Sequence, residues 1–116
     1  MRVAVIGSRT LTVPNLGDYL PENVSEIVSG GARGVDQCAR AYALSHGIRL
    51  TEYLPDYARH GRRAPLMRND LIVARAELVL AFWDGRSRGT VYTIRRCRAM
   101  GVPYRVFRAA KAPSCL

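Results

Sequence analysis

The chain has 116 residues, of which 48% are hydrophobic and 23% charged, the size and composition of one soluble globular domain with a core of its own. No apolar run approaches the ~20 residues of a membrane span, and residues 1–7 are too short for a signal sequence, so a cytoplasmic protein without membrane contact is expected. The formal net charge of +9 is uneven: residues 1–58 hold five Arg against six acids, and residues 59–116 hold twelve Arg and one Lys against three acids. Such an excess calls for an anionic partner, and arginine suits bidentate phosphate recognition.

Residues 2–6 are apolar and β-branched, a buried-strand signature that runs directly into Gly7-Ser8-Arg9-Thr10. Pro14 opens a short predicted helix through about Leu20, which Pro21 stops. A second strand over 25–29 passes through Gly30-Gly31-Ala32-Arg33-Gly34. It leads into a helix over about 33–46, with apolar spacing at Val35, Cys38, Ala39 and Tyr42, closed by Gly47. A third strand covers 48–54. Residues 55–65 form the one long irregular segment, read as a lid or a solvated loop.

A helix over 66–76 places Met67, Leu71 and Ala74 on one face, and 77–83 is a nearly continuous apolar strand of the kind covered on both sides. Asp84-Gly85-Arg86-Ser87-Arg88-Gly89-Thr90 then opens a helix to about Met100 that buries Val91, Ile94 and Cys97, with Gly101 as its cap. A fifth strand covers 103–107, so that the domain spans 1–107, and 108–116 is expected to be a loosely ordered tail.

Strands alternating with helices predict a small doubly wound α/β domain, a Rossmann-like parallel sheet of about five strands with helices on both faces. All three glycine turns follow strands and therefore share its carboxyl edge, where such sheets bind ligands. Glycine lets the backbone approach a ligand, and the free N–H groups of a first helical turn favour phosphate. Cys38 and Cys97 read as small core residues, and Cys38, Cys97 and Cys115 with His46 and His60 show no metal-ligand spacing.

Four motifs in order, Gly7-Ser8-Arg9, the Ser29–Asp36 run, Arg68-Asn69, and Phe82-Trp83-Asp84-Gly85 followed by Ser87, Gly89 and Thr90, resemble the SLOG superfamily, and within it the YspA-type bacterial proteins. The resemblance implies a nucleotide-binding Rossmann-like domain. It also extends to the LOG-type phosphoribohydrolases, which cleave the N-glycosidic bond of nucleoside monophosphates. Arg68 looks like their helix-borne Arg and is the candidate catalytic residue, Gly85, Gly89 and Thr90 look like their glycine-threonine loop, and the position of their Glu falls on Thr93. The DNA-processing protein A family has a similar Ser-Gly-x-Ala-x-Gly-x-Asp cradle and binds single-stranded DNA; its additional domains find no counterpart in a chain of this length.

Read residue by residue, Gly7, Gly30, Gly31, Gly34, Gly85 and Gly89 shape the turns and, with Asp84, belong to the expected ligand site, and Ser8, Arg9, Arg33, Arg68, Asn69, Ser87 and Thr90 are its side-chain contacts, Thr90 reading equally as a capping residue. The alternative for Arg33, Arg68 and Asn69 is a solvated surface position, and on the favoured ligand reading loss of Arg68 leaves the free protein's melting temperature nearly unchanged. Asp36 either satisfies backbone N–H groups or meets a ribose hydroxyl. Asp84 belongs to the third turn, and Trp83 either stacks on a base or packs in the core. The first expectation is binding of a nucleotide or ADP-ribose-like molecule with no cofactor required. Nucleotide N-glycoside hydrolysis and single-stranded nucleic-acid binding are the alternatives, and self-association through helices is a further expectation from the family.

Overall fold

Strands β1 (Arg2–Gly7), β2 (Glu26–Ser29), β3 (Arg49–Glu52), β4 (Leu78–Trp83) and β5 (Tyr104–Arg108) form one sheet in the order β3-β2-β1-β4-β5 in the computed structural model, which describes residues 1–108. Every pairing is parallel. The chain starts in the middle, moves outward to β3, then crosses back to lay β4 beside β1. The strand order therefore reverses between β1 and β4, where a crevice opens at the carboxyl ends.

The period-2 alternation of the strands divides two cores. Val3, Val5, Ile27, Leu80 and Phe82 face Val35, Ala39 and Ala43 of α1 (Val35–Ser45), together with Leu11, Val13 and Leu16. Ala4, Ile6, Val28, Val79 and Ala81 face Ile72 and Val73 of α3 (Ala64–Arg75) and Cys97 of α4 (Arg88–Met100). Burial on both faces is why these strands read as unbroken apolar runs. Phe82, stacked on Phe107 and met edge-on by Tyr19, is the largest fully buried side chain, and its removal from water contributes roughly 1.5–3 kcal/mol. Burial pushes the Cys97 thiol up to about 11, as suits a core residue.

Four local expectations need correction. The helix expected over 14–20 is only a 3-10 turn, Leu16–Asp18. A Cβ on Gly17 would stand 2.9 Å from the Tyr42 ring, so the segment lies flat on α1 and inserts Leu16 instead of winding further. The irregular segment 55–65 is largely helical: α2 (Tyr57–His60) is capped by Asp56, whose Oδ1 accepts the Arg59 N–H at 3.1 Å, and a 3-10 turn (Gly61–Arg63) leads into α3. Pro65 sits in the first turn of α3, where its missing N–H has no partner to lose, so this helix starts earlier than expected. Finally, Arg108 is not tail; it pairs with Trp83 and holds its guanidinium 5.6 Å from the indole centroid. The rest of the expected tail, Cys115 included, lies outside the described residues. Among the described residues no helix is long and apolar enough to cross a membrane.

Glu26 ties the sheet to α3. Its carboxylate accepts Arg75 Nε and Nη2 at 2.6 and 2.9 Å and Thr51 Oγ1 at 3.0 Å, and the Arg75 bond is the main cause that holds its pKa below the ordinary glutamate value. A lowered folded pKa means the contribution is fully present above the unfolded value and is lost as pH falls through the folded one. Unfolding free energy measured against pH should therefore show an acid-limb slope that Glu26→Gln reduces.

Candidate functional site

The site begins with the way the three turns are tied together. Ser8, at the end of β1, donates its N–H to Phe82 O at 3.0 Å and accepts the Asp84 N–H on Oγ at 3.1 Å. Thr10 Oγ1 donates to Asp84 Oδ2 at 3.2 Å, while Asp84 Oδ1 accepts the Arg86 and Ser87 N–H groups at 2.7 and 2.8 Å. Those backbone donors, Arg86 first, hold the Asp84 carboxyl below its ordinary range. Asp84 is thus the clasp between the first and third turns.

The second turn is held from inside. Arg68 is only 8% exposed; its Nη1 donates to Gly30 O at 2.6 Å and Tyr53 O at 3.4 Å, and its Nε to Pro65 O at 3.3 Å. The reading of Arg68 as a surface residue is therefore corrected: it is an internal strut with a charge that also faces the crevice. Asp36, buried beside it, accepts the Ala32 N–H at 3.0 Å, the backbone contact that is one of the two roles read for it. Burial raises its pKa, opposed by the Ala32 N–H and by the Arg68 charge. At the third turn Ser87 caps α4, its Oγ accepting from Thr90 N at 3.4 Å and from Thr90 Oγ1 at 3.1 Å.

Over these turns lie two adjoining cavities. The first, about 470 Å³, sits at the β1/β4 crevice and brings together Gly7, Ser8, Arg9, Asp36, Arg68, Asn69, Asp84, Ser87, Gly89 and Thr90. The second, about 500 Å³, takes in Gly30, Gly31 and Arg33. Arg9, Thr10, Ala32 and Arg68 line both. The first has apolar walls at Ile6, Leu66 and Ile72, and the exposed Arg9, Arg33 and Arg62 carry positive charge around the pair. The N-terminal ends of α1 and α4 point the positive ends of their dipoles at the same edge.

Two expected ligand residues stand apart. Gly34 lines neither cavity; its missing side chain admits the carbonyls of Ser8 and Arg9, so it packs the first turn on the second. Gly85 also lines neither, because the Arg108 guanidinium fills the space over it. Trp83 is outside both cavities as well, its Nε1 donating to Ser87 O at 3.1 Å, which fits the packing reading of this residue better than the base-stacking one. Conversely, Thr10, Arg62 and Leu66 line the first cavity and Tyr57 and Gln37 the second without having been singled out. Thr10 lies in the first glycine turn, and Tyr57 and Arg62 in the segment 55–65 read as a lid or loop, whereas nothing in the sequence marked Gln37 or Leu66.

The architecture is that of a Rossmann-like α/β domain with its open crevice at the strand switch point. No protein-family model matches the sequence. The Gene 61 protein of Mycobacterium phage D29 is 37% identical over 83 residues, 66% of this chain and 66% of that protein, so the match spans slightly less than two thirds of its length. Among solved structures, the fold is shared with DNA processing protein A from Helicobacter pylori, a protein described for its single-stranded DNA binding mode, at a TM-score of 0.74 and 24% identity over 97% of this chain and 67% of that one. The DNA processing protein A of Streptococcus pneumoniae gives a TM-score of 0.70 and 21% identity over 97% of this chain and 52% of that one.

Proposed function

We propose that this protein binds single-stranded nucleic acid across the carboxyl edge of its sheet, with the phosphate backbone over Arg9, Arg33 and Arg68. The observation that carries the reading is the pair of adjoining cavities, which together make a basic trough along the sheet edge instead of one closed pocket. The fold held in common with DNA processing protein A supports it, as does a SLOG relationship on the four sequence motifs. This reverses the order reached from sequence, where a small nucleotide-derived ligand came first. No cofactor is needed for such binding.

A labelled oligothymidylate of about 20 nucleotides, followed by fluorescence anisotropy between 50 and 200 mM salt, tests it. Three arginines neutralising phosphates give a slope of log K against log salt of roughly −2, at about 0.7 per phosphate for a single strand, and Arg33→Ala lowers it by about 0.7. Absence of oligonucleotide binding at 50 mM salt, alongside tight binding of a mononucleotide or ADP-ribose, overturns the proposal.

The apolar walls at Ile6, Leu66 and Ile72 favour the second reading, a single nucleotide-like ligand in the first cavity. Hydrolysis of its N-glycosidic bond is less well supported. Thr93 is fully buried and its hydroxyl donates to Gly89 O at 2.9 Å, while Asp36 and Asp84 already accept backbone N–H groups. An oxocarbenium-like transition state thus finds no uncommitted carboxylate among these three positions.

A further inference from the structure

The two cavities meet at a shared wall, and that wall has a charge of its own. Arg9 and Arg68 line both sides, and Asp36 faces the first. The two guanidiniums of the shared wall, with Asp36 on the first cavity's side of it, give the wall the positive sign that a phosphodiester requires. Apart from the shared residues, the first cavity also holds Arg62 and Asp84, the latter accepting from Thr10 Oγ1 at 3.2 Å, and the second holds Arg33. Each cavity, at about 470 and 500 Å³, lies within the roughly 300–1,000 Å³ range of small-molecule sites and suits one nucleotide-sized group. The wall is built from three elements: Arg9 and Thr10 follow β1, Ala32 lies in the second turn, and Arg68 comes from α3.

We infer that the unit recognised is a dinucleotide step, one nucleoside in each cavity and the linking phosphodiester on the Arg9–Arg68 wall. This rests on the proposed binding of single strands and specifies how the strand is registered. The base in the first cavity meets Ile6, Leu66 and Ile72 with Asn69 as the polar group at its rim; the nucleoside in the second lies along Gly30, Gly31 and Tyr57. Because the two groups are joined, the second is held at high effective concentration once the first has bound. A mononucleotide fills one cavity only, however many charges its phosphate carries.

The test is calorimetric titration with thymidine 5′-monophosphate, the dinucleotide TpT, TpT with an uncharged methylphosphonate linkage, and an oligothymidylate of about 20 nucleotides. TpT should bind at least about 100-fold more tightly than the monophosphate although it carries less charge. The methylphosphonate analogue should lose about 10-fold or more of that affinity, the scale of a charge-assisted hydrogen bond. Arg9→Ala, at an exposed position, should weaken TpT by about 10-fold and the monophosphate by much less, whereas Arg95→Ala, outside both cavities, should change neither.

If the oligonucleotide binds but TpT and the monophosphate agree within about threefold, or if the methylphosphonate binds as tightly as TpT, the dinucleotide register is wrong and strand binding survives. If neither the oligonucleotide nor TpT binds, strand binding and the register fail together.

Discussion

Replacing Arg68 with alanine is expected to destabilise the protein by about 3–5 kcal/mol, a fall of roughly 10–20 °C in Tm, and to remove nucleic-acid binding with it. The guanidinium supplies the donors to the carbonyls of Gly30, Tyr53 and Pro65 and is the cation beside buried Asp36. Its loss leaves the buried Gly30 carbonyl without this donor and a buried carboxylate without its neighbouring cation, and each of those effects alone is destabilising. Arg68→Lys keeps the charge without the fork, so it should fall between wild type and alanine. Urea denaturation of the three proteins measures this. A midpoint for Arg68→Ala equal to that of wild type would contradict the strut role.

Gly34→Ala is expected to cost about 2–4 kcal/mol, from a backbone that an L side chain rarely adopts and from direct overlap. Its φ is +71°, and an added Cβ would lie 2.5 Å from Arg9 O and 2.6 Å from Ser8 O, both backbone atoms that move only if the first turn moves. The control is Gly47→Ala. There φ is +63° but the space is open, so only the conformational cost of about 1 kcal/mol remains. Because Gly34 sets the spacing of the first and second turns, its variant should also bind oligonucleotide more weakly than its residual stability explains. Equal losses in Gly34→Ala and Gly47→Ala would show that turn-to-turn packing is not the reason for the glycine.

What the sequence made legible, and what it did not, follows from the range of the interactions. The apolar runs of β1 and β4 announce a sheet covered on both faces, and Ser87 and Gly101 mark the ends of α4 through caps only a few residues long. Strand polarity then places the three turns on one edge. The helix expected after Pro14 failed because its length was decided by Tyr42, packed against Gly17 from a different element. The segment after Pro55 carried a usable local signal, Asp56 three residues before Arg59, but its charge density masked it.

The role of Arg68 was illegible for a stronger reason: its partners lie 38 and 15 residues away, and nothing near Arg68 in the chain says that carbonyls will converge there. Gly34 and Gly85 show the same limit from the other side. Glycine motifs mark places where something approaches closely, but at Gly34 that is the neighbouring turn and at Gly85 the Arg108 side chain.

Amide chemical-shift mapping by NMR, titrating oligothymidylate into the isotopically labelled protein, tests the central claim most directly. The claim predicts that the largest changes fall on Ser8 to Thr10, Gly30 to Arg33 and Asp84 to Thr90, the three turns beneath the adjoining cavities. Changes confined to the outer face of α4 around Arg95 and Arg98 and to β5, with the turns unmoved, would contradict it.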